Sequence, residues 1–173
     1  IQDDFSDPDS WTVKLTSDLK DVAVGTTGYP AGWNHGLNIQ YTYTSGRAPM
    51  AKLTKPMYLY GLPDTIKFTY NAGDIPLKQL IIGLRPNNAS SSVATTFKDA
   101  LPLNQDVTLS IATSDLVTDP TDIAVYPIAF DYITFYLDPV ASEKNKRYAL
   151  NVKELSLCYQ GVETGIVNPG ISS

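Results

Sequence analysis

The sequence predicts an all-β fold, an antiparallel β-sandwich of about eight strands. Three observations carry this. Apolar and polar residues alternate with a period of two in stretch after stretch, as in strands with one buried face. Twelve Pro and eleven Gly punctuate those stretches along the chain, as tight turns require. No stretch shows the apolar spacing of a long helix.

The clearest strand follows Gly36. Leu37, Ile39, Tyr41 and Tyr43 alternate with Asn38, Gln40, Thr42 and Thr44. Ser45 to Pro49 turns the chain, Lys52 to Tyr60 reads as the next strand, and Gly61-Leu62-Pro63 ends it. Upstream, Trp11 to Leu15 alternates as the first strand, and Thr16 to Val24 is ambiguous. Downstream, three inward sets follow: Ile66, Phe68 and Tyr70; Leu80, Ile82 and Leu84; Val107, Leu109 and Ile111. Tyr126-Pro127-Ile128 leads into a strand with Ile133, Phe135 and Leu137 inward and Tyr132, Thr134 and Tyr136 outward. In the last strand the phase slips at Lys153-Glu154 between Val152 and Leu155, which is how a β-bulge reads in sequence. The expected core is Leu37, Ile39, Tyr41, Ile66, Phe68, Leu80, Ile82, Leu109, Ile133, Phe135, Leu155 and Leu157. Residues 1–160 form the sandwich, and the Gly/Pro/Ser-rich stretch 161–173 reads as a loosely held tail.

Composition narrows the function classes. At 173 residues, the chain suits one domain that buries about 70% of its unfolded surface without a metal or disulfide staple. A hydrophobic fraction of 43% against 18% charged places it among globular chains. The net charge of −5 argues against nucleic acid or an anionic membrane as partner. No run is long and apolar enough to span a bilayer. Cys158 is alone, so no internal disulfide forms, and it reads as a small buried or half-buried side chain. No signal-peptide pattern opens the chain at Ile1, which fits either a cleaved chain or a piece of a longer one. Asn88-Ala89-Ser90 is a formal glycosylation sequon.

Catalytic and cofactor signals are missing. There is one His, His35, in the Gly-rich loop 25–36, where nucleophilic hydrolysis needs a base held by a third group. Asp3, Asp4, Asp7, Asp9, Asp115, Asp119 and Asp122 cluster in turns rather than pairing across a strand face, as glycoside hydrolysis would need. No phosphate loop, zinc spacing or dinucleotide fingerprint occurs, so no cofactor is expected. The Asp-rich opening reads either as a polar turn framing Phe5 and Trp11 or as a local cation site. The reading is a non-enzyme.

Several segments together carry a resemblance. They are Asp4-Phe5 with Trp11, Gly36-Leu37-x-Ile39-x-Tyr41, Gly61-Leu62-Pro63, the run from Ile66 to Asp74, Tyr126-Pro127-Ile128, Ile133 to Tyr136, and Val152 to Leu157. From about Asp4 to Tyr159 the chain resembles the jelly-roll, galactose-binding-like β-sandwiches of carbohydrate-active proteins. It is most similar to the accessory sandwich attached to secreted bacterial phosphodiester glycosidases. The resemblance implies a jelly roll and a non-catalytic carbohydrate-binding or accessory module, secreted or at the cell surface. Its partners would be a polysaccharide or glycan and an adjacent catalytic domain, with no nucleic acid and no membrane. The alternative is a bracing or cell-surface interaction domain without sugar affinity. Many such modules hold a structural calcium through an Asp at a position where this chain has Lys153, so no metal is assigned.

Sugars are recognised by aromatic faces and by amides or charges that bond their hydroxyls. In a jelly roll, the strands with outward Gln40 and Thr42, Lys67 and Thr69, Gln79 and Arg85, and Tyr132 and Tyr136 are expected to share one sheet. The carbohydrate-binding candidates are therefore Tyr132, Tyr136, Arg85, Lys67 and Gln79. Tyr29 and Trp33 in loop 25–36 form a competing site at the sandwich end. The same face also reads as an ordinary solvated surface, or as one covered by a neighbouring domain.

Overall fold

The computed structural model describes residues 2–26, 36–47, 49–87, 93–99, 101–116 and 127–159. The strands are β1 (Gln2–Asp3), β2 (Thr12–Leu15), β3 (Leu19–Gly25), β4 (Leu37–Tyr43), β5 (Met50–Thr54), β6 (Tyr58–Leu59), β7 (Thr65–Asn71), β8 (Leu77–Arg85), β9 (Val93–Phe97), β10 (Val107–Ala112), β11 (Ile128–Leu137) and β12 (Arg147–Cys158). A 3-10 turn, Pro8–Ser10, and one helical turn, Thr113–Leu116, complete the described elements. Two antiparallel sheets form the sandwich. One runs β10-β7-β12-β4-β3, with β1 on β12; the other runs β2-β5-β11-β8-β9, with β6 on β11. This is a jelly roll: apart from β3–β4, β5–β6 and β8–β9, each described strand lies in the sheet opposite to that of its predecessor.

Alternation sets the core. All twelve residues expected inside are buried, none more than 8% exposed. The aromatic centre joins the layers. Phe135 of β11 meets Phe68 and Tyr70 of β7 on the facing sheet, at centroid distances of 5.9 and 5.4 Å. Bulges bend the two longest strands: the register slips between Val152 and Glu154 in β12, as the sequence indicates, and between Phe130 and Tyr132 in β11.

Two expectations are corrected, and strands that the sequence left unassigned are added. The segment from Lys52 to Tyr60 is two strands, β5 and β6, because Pro56 between them has no N–H for a ladder. The ambiguous stretch after Thr16 contains the edge strand β3, and β9 was not foreseen. The last strand, β12, lies between β7 and β4 and takes the two-residue β1 as a further partner, through Gln2↔Ser156 and Asp3↔Leu155, whereas β2 lies in the other sheet. The four strands expected in one sheet are divided: β4 and β7 in the first, β8 and β11 in the second. The short link from β7 to β8 crosses between layers and buries Ile75, instead of closing a hairpin within one sheet. The 88–90 sequon, His35 and the tail 161–173 lie outside the described residues.

One core group is imperfectly placed. Tyr70 is fully buried, yet its hydroxyl has no hydrogen-bond partner among the described residues. Burial pushes its pKa up to about 12. Because that lies above the unfolded value near 10, the stability tied to neutral Tyr70 is complete below about pH 10. It drains away as pH climbs toward 12. Tyr70→Phe removes the unpaired hydroxyl. Denaturant titration should find it as stable as wild type, or up to about 1 kcal/mol more so, with a shallower decline above about pH 10. A loss of stability at neutral pH would show that the hydroxyl has a partner.

Candidate functional site

The candidate site is the outer face of the second sheet. In β11, Ile133, Phe135 and Leu137 point into the core, so Tyr132, Thr134 and Tyr136 point out. In β8 the buried Leu80, Ile82 and Leu84 leave Gln79, Ile81, Gly83 and Arg85 outward. The register sets these side by side: Tyr136 opposite Gln79, Thr134 opposite Ile81, and Tyr132 opposite Gly83. On the other flank Tyr136 faces Met50 and Thr134 faces Lys52. Gln79, Arg85, Tyr132 and Tyr136 therefore share one face.

Lys67 does not join them. It pairs with Ser156 and Ser110 in the first sheet and so lies on the opposite side of the sandwich, together with Gln40 and Thr42. Alternation tells in from out but not which layer a strand enters, and the β7–β8 crossover separates Lys67 from Gln79. Tyr29 and Trp33 lie outside the described residues.

Tyr132 is held in a defined place. Its phenol end crosses above Gly83, where an added Cβ would meet Tyr132 Cζ at 2.8 Å and its hydroxyl oxygen at 3.1 Å. The Lys52 ammonium lies over the same ring, 5.1 Å from the centroid. Thr134 is only 4% exposed although it faces outward, so the floor between the two tyrosines is packed. Arg85 and Asp131, the latter at the β11 bulge, form an ion pair at 3.4 Å.

Sequence reasoning missed Tyr58. It pairs with Ala129, which also pairs with Arg85, and it is 62% exposed beside the buried Leu59. Tyr58 thus stands in the Arg85 row, on the other flank of β11. The alternation Tyr58-Leu59-Tyr60 was the available signal, obscured by reading one long strand. From the Arg85 row to the Gln79 row is about 20 Å at the usual strand rise. The face is long enough for several sugar rings rather than one.

Gly83 gives a prediction. Gly83→Ala needs no unusual backbone angle, and its methyl group collides only with the movable end of Tyr132. Stability should change by less than about 1 kcal/mol, while the Tyr132 ring is displaced from its place over residue 83. Thermal melting and the ring proton shifts of Tyr132 on the same preparation check both halves.

The Asp-rich N-terminus is a polar turn framing two core aromatics. Phe5 and Trp11 are buried and stack at 4.6 Å. The Asp3 carboxylate accepts from Phe5 N–H at 2.8 Å and Trp11 Nε1–H at 3.2 Å, and pairs with the Lys55 ammonium. A cleft of about 480 Å³ beside it is lined by Asp4, Asp7, Lys55 and Glu154, among others. Lys55 supplies the positive charge there. Lys153, where the resemblance places a calcium ligand, points its ammonium at Asp106, 3.8 Å away. No described group of three or more His, Cys, Asp or Glu is arranged to hold a metal. The residues do not fit the calcium that the resemblance implies.

No protein-family model matches the chain, and no curated protein sequence does. Solved structures do. One, described in work on the promiscuous specificity of carbohydrate-binding modules from the β-sandwich superfamily, aligns with 88% of this chain at a TM-score of 0.60 and 15% identity. This chain spans 59% of that one's length. A family 11 carbohydrate-binding module from Clostridium thermocellum, solved with a β-1,3-1,4-mixed-linked tetrasaccharide, aligns over 91% of this chain and 94% of its own, at 0.51 and 16% identity. The enzymatically active domain of bacteriophage CBA120 tailspike protein 4 aligns over 88% of this chain but 20% of its own, at 0.53 and 14% identity. What these likenesses show is the fold: the chain is a jelly-roll β-sandwich of the kind seen in carbohydrate-binding modules.

Proposed function

We propose that the chain is a carbohydrate-binding module, a non-catalytic accessory part of a secreted or cell-surface carbohydrate-active protein, and that its glycan lies along the outer face of the second sheet. The observation that carries this is the positioned Tyr132, set over Gly83 and in line with Tyr136, Gln79 and Arg85. Aromatic rings on a packed floor, flanked by an amide and a guanidinium, are what sugar faces and hydroxyls need. The carbohydrate-binding modules of like fold support the ligand class. The tailspike, in which such a sandwich is a fraction of a longer chain, supports a neighbouring domain.

One sugar stacked on a Tyr contributes on the order of 1 kcal/mol beyond its buried area. An open face therefore binds weakly, near millimolar, or about −4 kcal/mol. The test is affinity electrophoresis through a panel of polysaccharides, with wild type beside Tyr132→Ala and Trp33→Ala. Retardation lost in Tyr132→Ala and kept in Trp33→Ala is the expected result. The reverse moves the site to the loop with Tyr29 and Trp33. No retardation of wild type by any polysaccharide, with tight association to a neighbouring domain, establishes the bracing role instead.

A further inference from the structure

The charges on the glycan face run against the rest of the chain. Overall there are 13 Lys and Arg against 18 Asp and Glu. The outer face of the second sheet nevertheless carries Lys14, Lys52 and Arg85 against a single strand carboxylate, Asp131. The first sheet is nearly balanced, with Lys20, Lys67, Arg147 and Lys153 against Asp3, Asp21 and Glu154. Asp131 is engaged by Arg85. Lys14 and Lys52 have no carboxylate partner among the described residues.

Their placement is costly for the fold alone. Lys14 and Lys52 are directly opposite each other on β2 and β5, and both point outward because Val13, Leu15, Ala51 and Leu53 face the core. Like charges directly opposite on neighbouring strands destabilise a sheet. Lys52 continues the row to Thr134, between the tyrosines, and its ammonium lies over the Tyr132 ring. A sugar stacking beside Tyr132 would place its substituents next to two ammonium groups that no described carboxylate neutralises.

Resting on the glycan-face reading above, we infer that the ligand is an anionic polysaccharide, whose carboxylate or sulfate groups pair with Lys14 and Lys52 while its rings stack on Tyr132. The lysine pair selects for charge, and the tyrosine selects for sugar. Both are needed, because a chain of net charge −5 repels a polyanion that offers no ring to stack.

The probes are polygalacturonate and its methyl ester, dextran sulfate and dextran, and poly-glutamate, used in affinity electrophoresis and calorimetry. The proteins are wild type, Lys14→Gln/Lys52→Gln and Tyr132→Ala. Wild type should bind polygalacturonate or dextran sulfate roughly tenfold more tightly than the uncharged counterpart, and which of the two pairs shows the preference tells carboxylate from sulfate. The double variant should lose that preference, a roughly tenfold drop for two exposed charge contacts. It should melt no lower than wild type, since a repulsive pair is gone. In 1 M salt, where the screening length is about 3 Å, the preference should vanish. Poly-glutamate should not bind. Binding of neutral glycans as tight as of charged ones, Tyr132-dependent but indifferent to the lysine change, would overturn this inference and leave the proposed function standing. Binding to poly-glutamate as tight as to the charged glycans would overturn the sugar requirement. Failure to bind any glycan, charged or not, would overturn both.

Discussion

Phe135→Ala should cost ~3–5 kcal/mol of stability, the range for truncating a large buried aromatic. Phe135 is fully buried in β11, in the middle of the second sheet. It is also the ring through which that sheet touches Phe68 and Tyr70 of the first. Truncation empties the centre of the inter-sheet layer and removes two aromatic pairs, each contributing about 0.5–1.5 kcal/mol beyond area. The cavity has no easy means of collapse, since strands on both sides are fixed by their ladders. A guanidinium titration with unchanged slope and a midpoint lowered by that amount is the expected result. An unchanged midpoint would place the residue outside the core.

Gly36→Ala should be comparably damaging, for a different reason. Gly36 has φ +115°, and a Cβ there would lie 2.3 Å from the Val152 carbonyl oxygen. That oxygen belongs to backbone in the centre of the first sheet and cannot turn aside. The left-handed backbone costs roughly 1–3 kcal/mol for a non-glycine residue, and the collision adds to it by pushing β4 from β12. A loss of more than about 3 kcal/mol is expected. A variant of wild-type stability would mean that the turn into β4 is differently built.

Much of this fold is legible in the sequence, because a sandwich with a dry interior writes a two-residue period into its strands. Leu37, Ile39 and Tyr41 show it, and so do Ile133 and Phe135. The same period even marks the bulge after Val152, where one added residue shifts the phase. What it cannot carry is the layer to which a strand belongs. The inner faces of both sheets are equally apolar, so Lys67 and Gln79 read as neighbours although the chain crosses the sandwich between them. Edge strands are also poorly legible. In β3, Val22 and Val24 remain 44% and 41% exposed, so no clean alternation marks them. β1 has two residues, too few to show a period. Of the candidate site, Tyr132, Tyr136, Gln79 and Arg85 were legible as outward positions on strands later found adjacent. Gly83 under Tyr132 and the Lys14–Lys52 pair emerge only from register.

The proposal that glycan lies along the outer face of the second sheet, and not on the first, is tested residue by residue by a nuclear magnetic resonance titration of the whole chain with the best-retained polysaccharide, cut to a soluble oligosaccharide. The signals of Tyr132, Gly83, Gln79 and Tyr136 should shift together along one saturating curve, while those of Lys67, Thr69 and Gln40 on the opposite sheet should stay in place. Shifts confined to the first sheet, or to the loop around Tyr29 and Trp33, would contradict it.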